Sequence, residues 1–171
     1  MRQSPCLAAL PLIFLSSAAL ADCTEQTLIS CDTGNGNHLE ACIEAGVSPD
    51  GARFTYAFGP RDKPKLTLRE ELAAGTATPW SGVGRAIWES VAFRHEGHVY
   101  EVWHSFDRLE QVASLEGGVN VLRGEELLVS LSCQPGPGTV IAPLFTIGDA
   151  MAEAGFCRDP DLHEWRRGDC G

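Results

Sequence analysis

Between residues 27 and 133 the chain alternates apolar and polar residues in short runs separated by turn residues. That period of two is the signature of half-buried strands. The runs predict strands over 27–31, 38–43, 53–58, 65–70, 86–94, 99–106, 118–122 and 126–133. Thr33-Gly34-Asn35-Gly36-Asn37, Ser48-Pro49-Asp50-Gly51, the stretch from Gly59 to Pro64 and Arg123-Gly124 supply the residue types that turns require. About eight short sequential strands predict a mainly all-β fold, a small antiparallel meander barrel or a sandwich. The period places Phe54, Tyr56 and Phe58 on one core face and Leu127, Val129, Leu131 and Cys133 on another.

The pattern changes after Cys133. Gln134-Pro135-Gly136-Pro137-Gly138-Thr139 reads as a linker. Thr146-Ile147-Gly148-Asp149 resembles a capping box with Asp in place of Glu. Residues 150–154 favour a short helix, and Gly155 stands where a C′ glycine belongs. A polar tail carrying Trp165 follows, and the chain has no internal repeat or low-complexity segment.

The first residues change where the chain is expected to work. Met1-Arg2-Gln3 precedes an apolar run over 7–15, and Ala19-Leu20-Ala21 follows. This order predicts a secretory signal peptide over 1–21, whose apolar run is too short to span a bilayer. One β-rich domain is then expected over 22–171, with strands in 22–133 and the linker, helix and tail in 134–171. Six cysteines remain in it, Cys23, Cys31, Cys42, Cys133, Cys157 and Cys170. An even count in an exported chain implies disulfides, with 15 pairings open. Closeness in sequence pairs Cys157 with Cys170. The absence of a C-x-x-C motif removes zinc-ribbon and thioredoxin-type readings.

Charge narrows the partners. The net charge is −10, and without Arg2 of the leader 12 basic residues face 23 acidic ones, a net −11. An acidic surface argues against nucleic acid and anionic membranes. It suits a cationic protein, and it also serves solubility in an exported monomer. No cofactor is implied, and the expected location is periplasmic or secreted.

Candidate chemistry concentrates in the stretch from Pro79 to Trp103. Gly82-Val83-Gly84 precedes a strand pattern rather than a helix, so it is expected to be a loop entering that strand and not a phosphate cradle. His95-Glu96-Gly97-His98 lacks the i, i+4 spacing of a zinc-protease helix. Glu96-Gly97 reads instead as a two-residue hairpin turn, with His95 and His98 as weak candidates for a metal at the rim. That register pairs Phe93 with Tyr100, Val91 with Val102 and Ile87 with Phe106 on an inward face, together with Glu89 opposite His104. The opposite face holds Trp88, Ser90, Ala92 and Arg94 against Ser105, Trp103, Glu101 and Val99. Trp88, Trp103, Arg94, Glu101 and Trp80 are therefore the expected contact residues, because exposed Trp and Arg dominate binding surfaces. Helix and tail are the expected cover for these rings if they are not exposed. No G-x-S-x-G elbow is present. The expectation is a non-catalytic periplasmic binding protein of unknown protein or small-molecule ligand. The alternatives are an inhibitor of lysozyme or another cell-wall hydrolase, and an enzyme using Glu89 and His104.

The segments "TYAFG", "TPWSGVGRAIWESVAFRHEGHVYEVW", "GGVNVLRGEELLVSLSC" and "DAMAEAGFC" with its later cysteine resemble a group of small exported bacterial proteins of uncharacterised activity. In architecture alone the chain also resembles the periplasmic lysozyme inhibitors, which are cysteine-bridged antiparallel barrels. That resemblance implies inhibition through a serine- and glycine-rich loop, for which Ser81-Gly82 is the nearest fragment.

Overall fold

A computed structural model describes residues 23, 26–48, 51–110, 114–159 and 161–168. The expected signal peptide, the Pro49-Asp50 turn pair and Cys170 lie outside the described residues. Each of the eight expected strands is present, and two meanders arrange them. The first contains β1 (Gln26–Asp32), β2 (His38–Ser48), β3 (Gly51–Gly59) and β4 (Leu66–Glu71). The second starts at the two-residue β5 (Ala77–Thr78) and continues through β6 (Ala86–His95), β7 (His98–Asp107), β8 (Leu115–Arg123) and β9 (Glu126–Ser132). A further short strand, β10 (Val140–Ile141), returns to the first sheet, giving the orders β10-β1-β2-β3-β4 and β5-β6-β7-β8-β9. All pairings are antiparallel.

The sheets form a sandwich and do not close into a barrel. Closure would need a ladder between β9 and β1. Among the described residues only a single bridge, Thr33 to Cys133, and one bond from the Gln134 N–H to the Asp32 carbonyl at 2.8 Å lie there. The Cys31–Cys133 disulfide reinforces this corner, with Cα atoms 5.4 Å apart across 102 positions of sequence. A second disulfide joins Cys23 to Cys42. Cys157 is also disulfide-bonded, and Cys170, the partner expected for it, lies outside the described residues. Such bonds mark a chain that matures outside a reducing cytoplasm. No helix among the described residues is long and apolar enough to cross a membrane.

The core lies between the sheets. Leu39, Ala41, Ile43, Phe54 and Tyr56 meet Val91, Phe93, Val102 and Val119 there, all at most 4% exposed. A register shift between Thr27 and Ile29 lets the adjacent Leu28 and Ile29 both reach this layer, as a β-bulge permits. Helix α1 (Thr146–Glu153) and the small hairpin of β11 (Phe156–Arg158) and β12 (Trp165–Arg167) complete the core with Ile147, Met151, Phe156 and Trp165.

Two expectations are corrected. Leu127 and Val129 are 55% and 40% exposed. Their strand, β9, is the outer edge of the second sheet, and a register shift against β8 sets Val129 opposite Val121 but Leu127 opposite Leu122, on the other face. Only Leu131 and Cys133 of that set pack against the core. The capping box is also absent. Phe145, in a left-handed conformation with φ of 72°, occupies the N-cap, and the Thr146 hydroxyl turns back to donate to the Pro143 carbonyl at 2.7 Å. Gly155 follows the last helical turn as expected, with φ of 81°.

Candidate functional site

Glu96 and Gly97 both have positive φ, 48° and 76°, which is the two-residue turn whose twist matches antiparallel strands. The turn fixes the register of β6 on β7 from His95–His98 through Glu89–His104 to Ala86–Asp107. Parity follows from it. Val91, Phe93 and Val102 point into the core, so Trp88, Ser90, Glu101 and Trp103 point away from it.

The outward face is organised in rows that run across the strands. Glu101 lies opposite Asn120, which lies opposite Ser130. The Ser90 hydroxyl donates to Glu101 Oε1 and the Asn120 amide to Glu101 Oε2, both at 3.1 Å, while the Ser130 hydroxyl donates to Asn120 Oδ1 at 2.8 Å. The neighbouring row is Trp103, Gly118 and Ser132, and the next pairs Ser105 with Glu116. Gly118 cannot carry a side chain, because a Cβ there would stand 2.2 Å from the Leu131 carbonyl oxygen.

Trp88 and Trp103 are each partly exposed. Trp165 does not cover them; it packs in the core, where its ring faces Gly148. The aromatic ring pairs among the described residues centre on Tyr56, Phe93 and Tyr100, and the tryptophans form none, so Trp88 and Trp103 are separate plates. Trp80 sits at the base of the hairpin. Its indole N–H donates to the Val83 carbonyl at 2.9 Å, and the Arg108 guanidinium lies 5.8 Å from its ring centre. Arg94 shares the face of Trp88 but is drawn away from it, donating to the Gly75 carbonyl at 3.1 Å.

A groove of about 550 Å³ opens beside Trp103, within the size range of small-molecule sites. Its apolar wall is Trp103, Leu115, Pro135 and Ile141. Its polar groups are the hydroxyls of Ser114, Ser132 and Thr139 and the carboxylate of Glu116. The groove is lined by the segment from Cys133 to Ile141, which is attached to β1 at two points, Asp32 and Ile29. The Trp103 indole N–H is closed from solvent and has no acceptor among the described residues.

No family model, curated protein or solved structure matches this chain.

Other candidate groups have local roles. His98 donates from Nδ1 to the Glu96 carbonyl at 3.1 Å and accepts at Nε2 from Arg123 at 2.9 Å, so both ring nitrogens are engaged. His95 is exposed, 3.8 Å from Glu96. The Gly82-Val83-Gly84 loop enters β6 with both glycines at positive φ. Glu89 and His104 do meet, with Oε2 3.2 Å from Nε2, but the side chains are only 3% and 2% exposed. His104 Nδ1 donates to the Ala142 carbonyl at 3.1 Å, and Glu89 Oε1 accepts the Gly148 N–H at 3.1 Å. The pair therefore ties β6 and β7 to the first turn of α1, out of reach of solvent.

One constellation is invisible in the sequence. Ser30 Oγ lies 3.2 Å from His38 Nε2, and His38 Nδ1 lies 3.0 Å from Asp32 Oδ1. Ser30 and Asp32 share one face of β1, and the Thr33–Asn37 turn returns His38 directly opposite Asp32. The hydrogen bond from His38, with Arg61 beside it, holds the Asp32 carboxyl below its usual range. The order matches the proton relay of a serine nucleophile, but acyl transfer also needs aimed donors for an oxyanion. Ser30 instead faces Glu40 across one ladder and Val140 across the other. A carboxylate opposite the hydroxyl opposes a developing negative charge. The relay reads as a tie between β1 and β2.

Proposed function

We propose that the protein is a non-catalytic binding protein of the periplasm or the secreted space, and that its ligand occupies the groove beside Trp103. The observation that carries this reading is the groove itself. It is of ligand size, mostly apolar, and rimmed by three hydroxyls and one carboxylate, the composition expected of a small-molecule site. Trp103 belongs to both the groove and the outward face of the β6–β7 hairpin. Trp88 extends the contact surface along that face, and Glu101 shapes it through its row of hydrogen bonds.

The test is a fragment screen on the disulfide-bonded chain, read by the indole N–H resonances. Binding fragments are expected to shift the Trp103 signal and leave the core Trp165 signal in place, and Trp103→Ala is expected to remove the binding. Fragments that bind elsewhere, or that bind the Trp103→Ala variant equally well, would refute the assignment.

A further inference from the structure

We propose that the groove selects an amphipathic cation, an ammonium or guanidinium group carried on an apolar stem. The inference rests on the groove being the ligand site. Trp103, Leu115, Pro135 and Ile141 offer an apolar wall against which a stem can lie. Among the described residues, the one charged residue in the lining is Glu116, which is exposed, and no Lys, Arg or His lines the groove. An anionic head would find no cationic partner there and would face a carboxylate.

The surroundings point the same way. Glu101 and Glu116 stand on the same outward face, four strand positions apart, with the Trp103 row between them. Most carboxylates in ion pairs among the described residues meet arginines: Asp32 with Arg61, Glu44 with Arg53, Asp107 with Arg85 and Asp159 with Arg166. Glu101 and Glu116 are in none of the ion pairs among the described residues. Glu101 takes only neutral donors, Ser90 and Asn120. The face therefore presents uncompensated negative charge beside an indole, and a cation gains both from the carboxylates and from the aromatic quadrupole. The net charge of −10 adds a long-range field of the same sign.

Three probes with one stem separate the contributions: n-octylammonium, n-octanol and n-octanoate, each titrated below its micelle concentration into the full disulfide-bonded chain. Octylammonium is expected to bind about fivefold or more tighter than octanol, the effect of one nearby unscreened charge at a wet surface. Octanoate is expected to bind more weakly than octanol. Glu116→Gln, a change at an exposed position, is expected to bring octylammonium affinity to within about twofold of octanol affinity in the same variant. Raising the salt concentration should weaken octylammonium binding alone. If octanol binds at the Trp103 resonance as tightly as octylammonium, the groove stands and cation selectivity is overturned. If Glu116→Gln leaves the preference intact, Glu116 is not its source and the inference falls. If none of the three probes moves the Trp103 signal while fragments of other chemistry do, the inference alone fails; if nothing moves it, the groove reading fails with it.

Discussion

Glu89 is the most exacting place to test the packing logic of this fold. Its carboxylate is 2% exposed as a residue and holds two groups at once, His104 Nε2 at 3.2 Å and the Gly148 N–H at 3.1 Å. Because His104 Nδ1 must carry a proton to donate to the Ala142 carbonyl, a single proton lies between His104 Nε2 and Glu89. Glu89→Ala leaves both groups without a partner. Each buried unsatisfied group costs about 1–3 kcal/mol, so the expected loss is roughly 3–5 kcal/mol with the vacated volume included. That is a large fraction of the ~5–15 kcal/mol that stabilises a typical domain. Glu89→Gln keeps the shape. Its amide oxygen can accept from Gly148 while its NH₂ donates to a neutral His104, so the expected loss is under ~1 kcal/mol. Urea unfolding at neutral pH with the disulfides intact, followed by tryptophan fluorescence, measures both variants. Ala and Gln variants of equal stability would refute the reasoning, since the bonds, and not the bulk of the side chain, are what should matter.

Four further outcomes are expected. Replacing Cys31 and Cys133 together by alanine should cost more than replacing Cys23 and Cys42, because their separations of 102 and 19 residues correspond to about 4–5 and about 3 kcal/mol of chain entropy; equal losses in urea would contradict this. Gly118→Ala should lower stability by about 2 kcal/mol or more, because its Cβ would meet the Leu131 carbonyl oxygen at 2.2 Å and Ser132 Cα at 3.0 Å, both backbone atoms that cannot swing aside. Asp159 accepts the N–H groups of Leu162 and Asp161, and these bonds, helped by Arg166, hold its carboxyl below the usual range. Its stabilisation is therefore complete above the ordinary aspartate range and is lost as pH falls through the lowered value, so Asp159→Asn should flatten the loss of melting temperature between about pH 5 and pH 3; an unchanged slope argues against it. A fluorophosphonate should leave Ser30 unmodified, as mass spectrometry can show, because Glu40 rather than an oxyanion donor faces that hydroxyl; rapid labelling that His38→Ala abolishes would make the relay a catalytic one.

The hairpin shows how much could be read before any tertiary structure. Alternation identified β6 and β7, and two residues of turn chemistry fixed their register, because a two-residue loop admits one parity. Trp88, Trp103 and Glu101 thus fell on one face, and Glu89 opposite His104, from local rules alone. The same rules failed at β9. Leu127 and Val129 alternate in sequence as well as Phe54 and Tyr56 do, yet a bulge at the sheet edge, which alternation does not reveal, turns Leu127 to the other face. The helix cap failed for a similar reason, because the Thr146 hydroxyl found the Pro143 carbonyl, a partner that the four-residue motif does not contain.

The sequence by itself determined the strands, the turn chemistry, the hairpin parity, the acidic charge and the even set of cysteines, because each depends on neighbours a few positions apart or on composition. Tertiary structure alone decided that the meanders stay open as a sandwich, that Cys31 pairs with Cys133, that Ser30, Asp32 and His38 align, and that a groove lies between Trp103 and Ile141. Each of these depends on the distance between segments remote in sequence, and that distance is set by how the two sheets pack around one shared core.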